Sequence, residues 1–148
     1  MSSFVSRWVV CNTYDVAAEH LDANGVLRPD ALARWIADAR DAYLGEVGSV
    51  RALVDRGLLL RAAVDTAGAP PVVQPSRVVV SAGATEVYPA SFTLAFRVRG
   101  YGSGGDDLVV NLAASVSLED PATGAPVELG NEVRDELIAL EHAARHAN

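Results

Sequence analysis

The stretch from Leu21 to Val47 constrains this chain more than any other. It opens Leu-Asp-Ala-Asn-Gly-Val-Leu-Arg-Pro, in which Asn24-Gly25 marks a tight turn because both residues tolerate positive φ. Pro29 then stands where a helix takes its first residue: its φ is already set, and the N–H it lacks would have had no intrahelical partner. From there Ala31, Leu32, Trp35, Ile36, Ala39, Tyr43 and Val47 recur at three- and four-residue spacing, one wide apolar face. The opposite face carries Asp30, Arg34, Asp38, Arg40, Asp41 and Glu46. Asp30–Arg34 and Arg34–Asp38 fall at i,i+4, where an ion pair is worth a few tenths of a kcal/mol. Gly48 is a natural stop. The spacing therefore predicts a helix over residues 29–47, launched by a turn that carries a carboxylate, Asp22. A helix so broadly apolar suits a sheet curled around it.

The flanking segments supply that sheet. Residues 4–14 are rich in aromatic and β-favouring types and read as a strand, followed by a loop over 15–27 that holds Glu19, His20 and Asp22. A short second helix fits Val50–Asp55, ending at Gly57. Residues 58–64 suit a strand or a helix, and 67–75, with three prolines, read as a connector. Strands follow at 77–88 and 92–99, the second alternating strictly with Phe92, Leu94, Phe96 and Val98 on one side. Gly100 to Asp107 reads as a flexible hairpin loop. A further strand spans 108–118, and a helix over 132–145 is apolar at Val133, Leu137, Ile138, Leu140 and Ala144. One helix between a first strand and a run of antiparallel strands is an α+β pattern, expected here as one domain over residues 1–148.

Around the first helix a resemblance emerges. Asp22-x-x-Gly25, then Trp35, then Ala37-Asp38-Ala39-Arg40, resembles the hotdog-fold thioesterases of the 4-hydroxybenzoyl-CoA and acyl-ACP type. Tyr88-Pro89-Ala90, and Asp120 to Pro126 before the last helix, are similar to that family's links between later elements. The resemblance implies a hotdog fold, an antiparallel sheet curled around one long central helix. It also implies an acyl-CoA or acyl-ACP thioester as partner, a site shared between two subunits, and Asp22 in the catalytic position. Asn24, Gly25, Val26 and Arg28 would stand against the substrate. The family has five strands, so either 108–118 supplies two of them or 58–64 is an extra or displaced strand.

Charge and cysteine usage narrow the rest. A net charge of −7 argues against nucleic acid, which asks for a basic face. No apolar run is long enough for a membrane span. Met1 to Arg7 lacks the cationic start and apolar core of a signal peptide, and a lone Cys11 fits a reducing compartment, so a cytoplasmic location is expected. Cys11, in an apolar strand without a cationic neighbour, reads as a small core residue rather than a nucleophile. All twelve basic residues are Arg, a bias that codon composition explains, although a few guanidinium forks would also suit the phosphates of a CoA ligand.

The chemistry centres on Asp22. Thioester hydrolysis needs a group that attacks the carbonyl or activates water, and donors for the developing oxyanion. A carboxylate before a helix N-terminus meets both demands, since the helix offers amides and a positive dipole end. The bland reading of the same residue is a turn-stabilising Asp. Pro29 weighs on the functional one, because it falls at the early helix position whose N–H the resembled family uses to polarise the thioester. Either the amide of Asp30 or Arg28 substitutes, or turnover is poor, or the chain only binds acyl thioesters or lipids. A hotdog dehydratase would want a paired Asp and His, and the alternation sets His20 and Asp22 facing apart. His20 lacks a partner at ligand-forming spacing, and His142 and His146 fall on the last helix, so no metal and no cofactor are expected. A single curled sheet leaves an open edge, so a homodimer or dimer of dimers is expected.

Overall fold

The structure, a computed structural model, describes residues 8–66, 68–102 and 108–146. In chain order the elements are β1 (Val10–Asp15), a single 3-10 turn (Ala18–His20), α1 (Pro29–Gly45), α2 (Gly48–Asp55), β2 (Leu59–Arg61), β3 (Pro75–Val87), β4 (Ser91–Gly102), β5 (Leu108–Glu119) and α3 (Gly130–Arg145). The strands form one antiparallel sheet in the order β1-β3-β4-β5-β2. It curls into a half-barrel around α1. This arrangement is the one the apolar face of α1 asks for. Ala31, Leu32, Trp35, Ile36, Ala39 and Tyr43 are all buried, and Phe92, Leu94, Phe96 and Val98 of β4 are buried in the same core. Thr93 and Ala95 are half-buried and Arg97 and Arg99 exposed, so the strict alternation of β4 separates its two faces.

The fifth strand is the segment whose type the sequence left open. Leu59, Leu60 and Arg61 pair with Glu119, Leu118 and Ser117 of β5, which makes the 58–64 region the far edge of the sheet. β5 itself is unbroken over twelve residues and does not supply two strands.

Several local expectations change. Cys11 is exposed rather than part of the core: β1 alternates from a buried Val10, so Cys11 points to the outer face of the sheet, opposite Ser81. Ile138 is 52% exposed, because α3 sets Val133 and Leu137 inward and Ile138 lies beside that stripe. Among the described residues neither i,i+4 ion pair of α1 forms. Asp30 is instead drawn to Arg28, whose Nε lies 3.2 Å from its Oδ1, and Asp38 accepts a long 3.4 Å bond from Tyr14. Of the glycine-rich loop, Gly100 to Gly102 continue β4, while 103–107 lie outside the described residues, as do 4–7 of the first expected strand.

At its far end α1 is tied to α3 and β3 at once. The hydroxyl of the fully buried Tyr43 donates to Oε2 of Glu141 at 2.7 Å, and the Ala84 N–H donates to the same oxygen at 2.9 Å. The described pairing of β1 with β3 ends at Val10 opposite Ala82, and two residues further on Glu141 accepts the Ala84 amide. Burial and the adjoining carboxylate push the Tyr43 phenol well above its ordinary range.

Candidate functional site

The loop before α1 is a small closed structure. Leu21 bridges Leu27, the Asp22 N–H donates to the Val26 carbonyl at 2.9 Å, and the Gly25 N–H to the Asp22 carbonyl at 3.0 Å. Gly25 takes φ +78°, where a side chain would be strained and its Cβ would approach Gln74 Cγ to 3.0 Å. The Asp22 side chain lies within this turn. Its Oδ1 accepts the N–H of Asn24 at 2.8 Å and of Val26 at 3.0 Å, which fixes the carboxyl group and leaves Oδ2 outside these bonds.

The turn is also zipped to the proline-rich connector. Val26 bridges Val73, the Leu27 N–H donates to Val72 at 2.9 Å, and the Gln74 N–H donates to Gly25 at 2.8 Å. Loop and connector thereby flank an open, largely apolar pocket of about 230 Å³. Asp22, Val26, Leu27, Pro29 and Leu32 line one side of it; Thr66, Ala69, Pro70, Pro71 and Val72 line the other. Asp22 is the only ionisable group in that lining.

Of the residues the sequence placed against a substrate, Val26 reaches the pocket. Asn24 forms the turn tip, and Gly25 supplies the positive φ and a carbonyl to the connector. Arg28 lies outside the lining, with its guanidinium on Asp30 and its N–H donated to the His20 carbonyl at 2.8 Å. The connector side of the pocket was invisible in the sequence, where three prolines signalled only an irregular link. Local pattern carries no information about which distant loop such a link will cover.

The amides at the helix start matter for chemistry. Pro29 is the first residue of α1 and has no N–H, and the Arg28 N–H is already spent on His20. The next donors are those of Asp30 and Ala31. They lie beside the Asp30 carboxylate, which the hydrogen bond from Arg28 holds below the usual range, with both amides acting in the same direction. His20 stands edge-on to Trp35, ring centroids 5.1 Å apart, and Trp35 stacks on Tyr14 at 4.6 Å. Nδ1 of His20 accepts the Ala17 N–H at 2.9 Å, so the neutral ring carries its proton on Nε2.

A second cleft, of about 280 Å³, runs between α3 and the end of β3 and contains Glu141, His142 and Arg145. Its part-buried carboxylate is already engaged by Tyr43 and Ala84, so the Asp22 pocket is the better candidate for chemistry. Among the described residues no three His, Cys, Asp or Glu side chains converge as a metal site, and no helix is long and apolar enough to cross a membrane.

No protein-family model matches the sequence, and neither does any curated protein. Solved structures do match. A thioesterase from Thermus thermophilus, crystallised with coenzyme A and zinc, superposes with a TM-score of 0.66 over 93% of this chain and 98% of its own, at 22% identity. The 4-hydroxybenzoyl-CoA thioesterase of Pseudomonas sp. strain CBS-3 covers 86% and 97% at a TM-score of 0.62 and 15% identity. A 1,4-dihydroxy-2-naphthoyl-CoA thioesterase from Synechocystis covers 89% and 97% at 0.64 and 15%. At such identities the likeness is one of architecture, and it agrees with the strand order and central helix described above: this chain has the hotdog fold of those thioesterases.

Proposed function

We propose that the protein hydrolyses acyl thioesters, with Asp22 as the catalytic carboxylate and acyl-CoA as the substrate, acyl-ACP being the other carrier to test. One observation carries this reading. Asp22 is the single charged side chain in an otherwise apolar pocket, on the helix-entry loop of a fold shared with enzymes that act on 4-hydroxybenzoyl-CoA and 1,4-dihydroxy-2-naphthoyl-CoA. In the proposed reaction the acyl group enters the pocket and the thioester carbonyl lies over the positive end of α1. Asp22 either takes a proton from the attacking water or attacks the carbonyl carbon itself. The C–S bond then breaks, the thiol leaves with a proton, and water supplies the new oxygen of the acid. The two turn amides on Oδ1 keep the carboxyl group oriented for this.

A second reading, a non-catalytic acyl-thioester binder, is favoured by the helix start: Pro29 gives no donor and the Arg28 amide is occupied. Asp22→Asn separates the two. A hydrolase loses at least about 100-fold in kcat, the usual scale for an acid–base group, while binding and folding persist. A binder has no turnover to lose. Thiol release that survives Asp22→Asn intact removes Asp22 from the chemistry.

The working unit in this proposal is a homodimer or dimer of dimers. Its support is the open sheet edge at β2, where Leu59 and Leu60 leave apolar surface exposed that a second copy would cover. Light scattering that finds a stable monomer at micromolar concentration would count against it.

A further inference from the structure

From the connector that walls the Asp22 pocket we infer that Thr66 and residues 69–72 set an upper limit on the acyl group, restricting the site to compact, uncharged acyl chains or single rings. This rests on the thioester reading above and concerns what that site admits. The wall is built to stay in place. Val72 is buried, with Cγ1 so close to Gly100 of β4 that a Cβ there would lie 2.8 Å away. On its other side the connector is held by the backbone bonds Leu27 to Val72 and Gln74 to Gly25. Just before these anchors stand Pro70 and Pro71, which line the pocket and whose rings fix φ. Tied to the sheet and to the Asp22 loop at 72–74 and stiffened by two prolines just before, the wall resists moving aside for a longer chain.

Size and chemistry then follow. At about 230 Å³ the pocket falls below the roughly 300–1,000 Å³ of sites that take whole drug-sized ligands, so it holds an acyl group and leaves the carrier outside. Leu27, Leu32 and Val72 close its floor and are each nearly fully buried. The lining offers one hydroxyl, Thr66, and no cation, so an acyl group ending in a carboxylate would be buried near Asp22 without a partner.

The test uses non-hydrolysable thioether analogues of acyl-CoA, from butyryl through octanoyl to palmitoyl, with a succinyl analogue, measured by calorimetry on the whole chain. Affinity is expected to rise about fourfold per methylene while the chain fills the pocket and then to stop rising well before palmitoyl. The succinyl analogue is expected to bind more weakly than butyryl. Ala69→Leu, which fills the wall side, should move the break to shorter chains; Thr66→Leu is the second such variant should the first fail to fold. Affinity that climbs steadily to palmitoyl, a succinyl analogue that binds as well as butyryl, or variants that leave the series unmoved would overturn the inference. Absence of binding by every analogue would do the same. A length break without any thiol release from true thioesters would leave the inference standing and remove the hydrolase reading instead.

Discussion

Two carboxylates in this molecule are tethered by backbone amides, one near each end of α1, and their settings differ. Asp22 lies in an exposed turn, holds two amides of its own loop on one oxygen, and borders an open apolar pocket. Glu141 reaches in from α3, 98 residues along the chain from its Tyr43 partner, and fills one oxygen with a buried phenol and the amide of Ala84 in β3. Amide tethering alone therefore does not tell the carboxylate proposed for the chemistry from a structural one. What separates the two is where the bonds come from. The Glu141 bonds join three elements and satisfy groups that would otherwise be buried unpaired. The Asp22 bonds are local, so they orient the carboxylate without joining anything distant to it.

The sharpest way to break this contrast is through the helix both regions share. Trp35 is buried between Tyr14 and His20 on the Asp22 side of α1, so Trp35→Ala should cost about 3–5 kcal/mol in urea denaturation. A loss below about 1 kcal/mol would mean that the N-terminal half of α1 is not held by its aromatic face. Next in size is Pro29→Ala. With the Arg28 amide spent on His20, a new N–H at position 29 adds an oxyanion donor, and kcat should rise by up to about 100-fold, the worth of one such donor. An unchanged kcat would assign the oxyanion to the amides of Asp30 and Ala31 despite the carboxylate beside them.

Glu141→Ala probes the other end. It leaves the Tyr43 hydroxyl and the Ala84 amide without their acceptor, and stability should fall by about 2 kcal/mol with kcat unaltered. The tie also gives the protein an alkaline limit. Tyr43 titrates above its ordinary range in the folded state, so the stability tied to its neutral form is full below the unfolded value near 10 and is lost as pH rises further. A kcat that fell with Glu141→Ala would end the division of labour between the two carboxylates.

How much of this was legible in the sequence follows from how far each feature reaches along the chain. The buried face of α1 and the alternation of β4 are local periodicities, and the structure buries the residues they single out. The hotdog arrangement was legible through the motif around Asp22 and is shared with the solved thioesterases. The edge position of β2 was not legible, because three residues carry no decisive period and its pairing with β5 spans more than fifty residues. Cys11 misled because its neighbours are apolar while its own side chain falls on the outward beat of β1. The pocket's second wall escaped for the same reason as the Tyr43–Glu141 tie: each is a contact between distant segments, and nothing in either segment names the other.

The smallest effect sharpens the comparison with a third carboxylate. Glu136, also on α3, accepts the N–H of Ser49 at 2.8 Å and its hydroxyl at 2.6 Å, and so caps α2 from another helix. It combines a long-range tie, as at Glu141, with a half-buried setting. The Ser49 hydroxyl, aided by the Ser49 amide, holds its carboxyl below the usual range. A depressed folded value means that the stabilisation is present above the unfolded value of about 4.3 and is lost as pH falls through the folded one. Solvent screens the site, so Glu136→Ala should cost only about 1 kcal/mol at neutral pH. The gap between variant and wild type should close on acidification, measured by urea denaturation across the carboxylate range. A gap that stayed constant down to acid pH would trace the loss to side-chain packing rather than to the charged cap, and would leave Glu141 as the only long-range carboxylate tie in α3 with an energetic role.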